Sequence, residues 1–238
     1  MRQGSLPFEL YFAVVNSIRS NHPAWRAALI DLDGTMVDTL GDFAVALNAM
    51  LGELALPPIG RDFIADTVGK GSEHLIRCTL AEVGAAGDRY DDAWASYQRH
   101  YRRVNGEHAE VFPGVVEGLL RLQRADVPMA CLTNKPTAFA QALLEKKQLA
   151  GFFRHVFGGD AFAQKKPHPL PLLESCKALG VPPSDVLMVG DSANDAQAAR
   201  AAGCPVVLVT YGYNHGEPVR QVDADGFIDR LDQLVIDA

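Results

Sequence analysis

From Ala27 onward, four short apolar runs alternate with stretches whose apolar residues recur every three or four positions. The runs are Ala27-Ala28-Leu29-Ile30, Val127-Pro128-Met129-Ala130-Cys131-Leu132, Val186-Leu187-Met188-Val189 and Val206-Val207-Leu208-Val209, each leading into polar residues or glycine. Such alternation predicts an α/β fold, a parallel sheet whose strands are joined by crossover helices. The intervening periodic stretches, Val115 to Leu122, Phe139 to Leu149, Leu170 to Leu179 and Ala196 to Ala202, are the expected helices. Gly151, Gly180 and Gly203 fall where those helices should stop.

The alternation breaks between Gly41 and Glu110. No strand is predicted there, whereas Phe43 to Leu51 and Leu75 to Val83 both carry helical spacing. A helical insert of about seventy residues is far too long for a loop and predicts a small separate domain. The expected division is an α/β core of residues 25–40 and 111–238, a helical domain of residues 41–110, and an N-terminal extension, residues 1–24, of no assigned function. Within that extension, Ser5 to Val15 reads either as a docked helix or as a frayed segment.

Composition narrows the partner. Of 238 residues, 48% are hydrophobic and 21% charged, enough apolar material for a packed core. A formal charge of -7 argues against nonspecific nucleic-acid binding by phosphate neutralisation and leaves a small molecule as the expected partner. The four cysteines, Cys78, Cys131, Cys176 and Cys204, form no C-x-x-C pair, so neither a zinc cluster nor a disulfide scaffold is indicated, and a reducing cytoplasm is the expected location. Leu6 to Val15 contains Glu9 and is about half the length a membrane span needs, so no membrane partner is expected.

Candidate chemistry starts at the end of the first run, in Asp31-Leu32-Asp33-Gly34-Thr35-Met36-Val37-Asp38. Two acids here can be a solvated turn; following a buried strand, they instead stand where the sheet's C-terminal edge opens into a crevice. Thr133-Asn134-Lys135 follows the second run, with a hydroxyl placed to meet an anion at a helix start, although Thr-Asn is also ordinary turn chemistry. Lys165-Lys166-Pro167-His168-Pro169 precedes a helix, and Val189-Gly190-Asp191-Ser192-Ala193-Asn194-Asp195 closes the third run. Asp195 lies in the first turn of the next helix, as a cap or as a partner to a metal or lysine.

Taken in order, Asp31-x-Asp33-Gly34-Thr35, Thr133, Lys166 before Pro167, and Gly190-Asp191 resemble the four motifs of the haloacid dehalogenase superfamily, from Ala27 to the C-terminus. The resemblance implies a Rossmann-like parallel-sheet core with a small all-helical cap inserted after the first strand. It further implies that Asp31 is the nucleophile, Asp33 the general acid and base, and Lys166 the cation that screens both nucleophile and phosphate. Thr133, Asn134 and Gly34 would contact substrate phosphate. Mg²⁺ would be held by Asp31, Asp191 and the backbone carbonyl of Asp33, with Asp195 beside them. Independently of the family, a carboxylate attacking a phosphate dianion requires cations that neutralise both; two acids and a carbonyl suit magnesium.

Ala202-Gly203-Cys204-Pro205, Val209-Thr210-Tyr211-Gly212-Tyr213-Asn214 and Gly216-Glu217-Pro218 resemble phosphoglycolate phosphatases of the capped branch. So does Gly69-Lys70-Gly71, except that a lysine replaces an asparagine. That departure leaves substrate preference open; a substrate carboxylate would need a cationic or amide partner under a closed cap, for which Lys70 is the candidate, and Tyr211 and Tyr213 read as a wall of the pocket or, by preference, as loop packing. Other capped enzymes of the superfamily, namely sugar phosphatases, nucleotidases, pyrophosphatases and phosphosugar mutases, share the four motifs, and a binding protein without turnover is the reading from a different class.

Overall fold

The computed structural model describes residues 25–85 and 87–235. The expected N-terminal extension lies outside the described residues. Six parallel strands form one sheet in the order β5-β4-β1-β6-β7-β8. They are β1 (Ala27–Ile30), β4 (Met129–Leu132), β5 (His155–Phe157), β6 (Val186–Gly190), β7 (Val206–Val209) and β8 (Gly226–Ile228). Four follow the predicted apolar runs. The second starts later than its run because Pro128 has no amide to give the ladder; its carbonyl still accepts from Ala28 N. The edge strands β5 and β8 were not expected from the pattern: each has three residues, half-buried, too few to display a period.

Alternate residues of β1 enter opposite layers, as the pleat requires. Ala28 and Ile30 pack with Leu119, Leu122 and Leu143, from α5 (Val115–Arg124) and α6 (Thr137–Lys146). Ala27 and Leu29 pack with Leu172, Cys176 and Ala199, from α7 (Leu170–Leu179) and α8 (Ala193–Ala202). Both α7 and α8 end on a glycine in the left-handed region, Gly180 and Gly203, at φ 70° and 78°. Gly151 does not play that part. After α6 the chain turns at Gln148, φ 58°, because buried Leu149 folds back so that its amide reaches the Leu144 carbonyl at 2.8 Å. Gly151 lies in the short turn Ala150–Phe152 that follows.

Between the central strand and α5, a two-stranded antiparallel ribbon, β2 (Val37–Asp38) and β3 (Glu110–Val111), brackets the helical stretch. Among the described residues four α-helices lie between its strands: α1 (Leu40–Glu53), α2 (Arg61–Thr67), α3 (Ser72–Glu82) and α4 (Tyr90–Val104). Phe43, Leu47 and Met50 on α1 and Ala93, Tyr97 and Tyr101 on α4, spaced at three and four residues, form the interior of this unit. Phe139 of α6 joins that cluster and stacks edge-on against Tyr101 at 5.0 Å, so the helical unit rests directly over the sheet's C-terminal edge. All four cysteines are free. Among the described residues no helix is long and apolar enough to cross a membrane.

Candidate active site

β1 lies between β4 and β6, where the chain's crossovers change direction. The residues just beyond these three strand ends, Asp31, Thr133 and Asp191, are thereby brought to one crevice, the usual ligand position in an open α/β sheet. All three are buried.

Lys166 binds the group together. Its ammonium stands 3.1 Å from Asp31 Oδ1 and 2.7 Å from Asp195 Oδ1, and donates to the Leu132 carbonyl at 2.8 Å. Three N–H donors thus have three acceptors, and a side chain only 2% exposed keeps its charge. Burial disfavours the ammonium, but the Asp195 and Asp31 carboxylates outweigh it and push the lysine well above its ordinary range. Adjacent Lys165 points the other way, to Glu73 of α3 at 2.6 Å.

Asp31 accepts from its neighbour Leu32 N at 2.7 Å through the same Oδ1 that faces Lys166. Among the described residues Oδ2 receives no hydrogen bond, so one oxygen is anchored and the other is available. Burial raises the Asp31 carboxyl to about 7, with Lys166 opposing the shift and Asp195 adding to it. Asp191 is held well above its ordinary value, first by burial and then by Asp195 and Asp31. Asp191 Oδ2 accepts from Tyr213 N at 2.8 Å. Two glycines give it room: a Cβ on Gly34 would lie 2.2 Å from Asp191 Oδ2, and one on Gly212 would lie 2.1 Å from Asp191 Cβ. Gly34 also has φ +80°, so both its conformation and its lack of a side chain are needed there.

Asp195 performs both of the roles open to it. Its Oδ2 accepts from Ser192 N and Ser192 Oγ, closing a capping box on α8, and its Oδ1 takes Lys166. Oxygens of Asp31, Asp191 and Asp195 lie within 4.8 Å of one another, so a buried acidic cluster stands here with a single ammonium among it. Hard carboxylate oxygens, two of them on groups whose pKa is raised first by burial and then by the neighbouring Asp195, suit a small divalent cation. Asp195 is already saturated by protein donors, which leaves Asp31 and Asp191 as the freer pair.

Asn134 accepts from Lys166 N at 3.0 Å and donates to Lys166 O and to Gly69 O, each at 2.8 Å. Thr133 Oγ1 accepts from Lys135 N at 3.2 Å. Lys70 is exposed and lines a different cavity, with Arg200 and His215, whereas Gly69 and Gly71 on either side of it border the crevice of Asp31 and Asp33.

Three residues given no catalytic part by the sequence also stand here. Lys135 Nζ binds Asp33 Oδ1 and Oδ2 at 2.9 and 3.2 Å and donates to the Tyr101 hydroxyl of α4 at 2.5 Å. Tyr213, for which packing was the preferred expectation, donates its hydroxyl to Asp38 and accepts from Thr39 N, tying the crevice loop to the start of α1. Tyr211 does pack, on Phe112, and its hydroxyl donates to Thr35 O.

The family model for haloacid dehalogenase-like hydrolases matches residues 28–209, a span that contains Asp31, Thr133, Lys166 and Asp191. The chain belongs to this family. Among curated proteins, this hydrolase is 42% identical over 214 residues to a phosphoglycolate phosphatase of Thiobacillus denitrificans, covering 89% of this chain and 94% of that protein. It is 43% identical over 210 residues to a plasmid-encoded phosphoglycolate phosphatase of Cupriavidus necator, covering 87% and 90%. The crystal structure of a predicted phosphoglycolate phosphatase from Haemophilus somnus superposes with a TM-score of 0.85 at 30% identity, covering 87% of this chain and 95% of that one.

Proposed function

We propose that this hydrolase cleaves 2-phosphoglycolate to glycolate and phosphate, with magnesium and an aspartyl-phosphate intermediate. The relatives' names supply the substrate. The observation that carries the chemistry is the half-anchored Asp31, with Lys166 on one oxygen, Asp191 alongside and the other oxygen open. In this reading Asp31 Oδ2 attacks phosphorus, and Asp33 gives its proton to the departing glycolate oxygen. Asp33 then takes a proton from the water that hydrolyses the acyl phosphate. Lys166 offsets charge on nucleophile and phosphoryl oxygens, and Thr133 and Asn134 border the phosphate on the far side. Held by Asp31, Asp191 and the Asp33 carbonyl, magnesium would supply further neutralisation of the phosphoryl oxygens.

Residues 41–110 act as a cap over the core of residues 25–40 and 111–238, excluding water during the first step. Asn134 supports this role, because one amide group holds both Lys166 and the Gly69 carbonyl of the α2–α3 loop. Four free cysteines support a reducing, cytoplasmic setting. The test is phosphate release from 2-phosphoglycolate and a panel of sugar, nucleotide and acid phosphates, with magnesium and with chelator. The reading expects 2-phosphoglycolate to lead and chelator to abolish release; equal rates across the panel would overturn the substrate, and chelator-resistant turnover the metal.

A further inference from the structure

The crevice that Asp31 and Asp33 open into continues under the cap as a cavity of about 30 Å³. On the scale that roughly 10–15 Å³ of such space holds one water, it admits a group of two or three water-sized parts. Phe43, Val68 and Leu75 give it apolar walls. Among the described residues its one cationic side chain is Lys135, 2% exposed, with its ammonium 4.7 and 4.8 Å from the ring centres of Phe43 and Tyr101.

Asp31 and Asp33 stand at the mouth of this space, and the side chains lining it from the helical unit and from Lys135, namely Tyr97, Tyr101, Ser72 and the ammonium itself, carry N–H or O–H groups. Because Lys135 donates to the Tyr101 oxygen, the Tyr101 hydrogen is left over, and no acceptor for it stands among the described residues. The Tyr97 hydroxyl, fully buried beside Ser72, meets no partner in good hydrogen-bond geometry. Gly71 and Ser72 bring the start of α3 to the same wall, with no side chain capping it. A buried donor without an acceptor is unfavourable, because it has given up water and gained nothing in exchange. A group that only accepts, and carries negative charge, would satisfy all of these at once. An ionised carboxylate is such a group, with about four lone-pair sites on two oxygens.

Resting on the substrate reading above, we propose that Lys135, with Tyr101 and Tyr97, binds the carboxylate of the substrate and so restricts the enzyme to short phosphomonoesters bearing an anion next to the ester carbon. Lys135 already touches Asp33, the group beside the leaving oxygen. A carboxylate one carbon from that oxygen falls within the reach of the same ammonium, which can keep Asp33 Oδ1 at 2.9 Å and turn the N–H now on Oδ2, the longer contact at 3.2 Å, to the substrate. Lys70, on the wall of another cavity, has no such access.

The experiment compares kcat/KM for 2-phosphoglycolate and for ethyl phosphate, which has the same ester but no carboxylate, in the full chain with magnesium. The wild type should prefer 2-phosphoglycolate by on the order of 100-fold or more, as sites built around a polar group do. Lys135→Met should bring that preference to within about fivefold, and Tyr101→Phe should reduce it by about five- to tenfold. Equal losses on both substrates in Lys135→Met would overturn the proposal, since Lys135 would then act only on Asp33. Loss of preference in Lys70→Met but not in Lys135→Met would overturn it in favour of the other cation. Should Lys135→Met fail to fold, Tyr101→Phe decides: an unchanged preference overturns the proposal. A wild type that turns over both esters equally sinks the substrate reading and this inference together, whereas a preference that survives in both variants sinks this inference alone.

Discussion

Asn134 grips the backbone of Lys166 from both sides, accepting from its amide at 3.0 Å and donating to its carbonyl at 2.8 Å. Since Lys166 sits in a loop rather than on a strand or helix, this side-chain clamp is what sets the height of its ammonium over Asp31. The same amide group reaches Gly69 of the helical unit. Asn134→Ala should therefore lower kcat by about ten- to a hundredfold and destabilise the fold by about 1–3 kcal/mol through the buried groups it leaves unpaired. Steady-state kinetics and a thermal melt check both parts; a loss of stability with kcat intact would show that the clamp does not position Lys166.

Gly212 offers a cleaner perturbation of the acidic cluster than Gly34. No left-handed backbone is involved, so the effect of Gly212→Ala is the Cβ driven to 2.1 Å from Asp191 Cβ. The Asp191 carboxylate must move, and magnesium affinity should fall by about tenfold or more. Titration of magnesium against activity measures this; unchanged affinity would remove Asp191 from the ion's coordination.

The acidic cluster also fixes a pH dependence. Asp31 has a folded-state value of about 7 against an ordinary 3.8, raised by burial first, and Asp191 shifts in the same direction. Between those limits the folded chain holds protons that the unfolded chain has released, so stability falls as pH rises from about 4 to about 7. Above that window the full penalty of the ionised cluster is present, and a cation there relieves it. The rise in Tm produced by magnesium should thus be larger at about pH 8 than at about pH 5, because at the lower pH the ion must displace protons. Thermal melts with and without magnesium at both values test it; an increment independent of pH would contradict the placement of the ion between these acids.

Two of the acids and the threonine hydroxyl were legible because they follow apolar runs. Asp31, Thr133 and Asp191 each close a strand, and a parallel sheet brings strand ends together whatever the intervening sequence. Lys166 was marked by its order in the motifs and the proline after it. The cavity under the helical unit was not legible, for a physical reason. Lys135 reads as a turn residue until α4, some thirty residues earlier, lays the Tyr101 hydroxyl on its ammonium. Nothing in the spacing of Tyr97 and Tyr101 distinguishes a packing tyrosine from one that offers its hydroxyl to a ligand. Lys70 illustrates the converse: glycines on either side bring its backbone to the crevice while its side chain turns to another cavity. Strands β5 and β8 escaped because three residues cannot show a period, and they are recognised only by pairing with β4 and β7.

The account stands on Asp31 as the nucleophile, and the direct measurement is the site of phosphorylation. Asp33→Asn removes the acid of the first step and the base of the second, so a phosphate ester whose leaving oxygen needs no proton, 4-nitrophenyl phosphate, is mixed with it and magnesium and quenched in acid; an acyl phosphate should accumulate. Mass spectrometry should find one phosphoryl group on the peptide containing Asp31, absent when Asp31 is also replaced by Asn. Phosphate released from this substrate with Asp31 never modified, or a phosphoryl group found on any other residue, would contradict the mechanism.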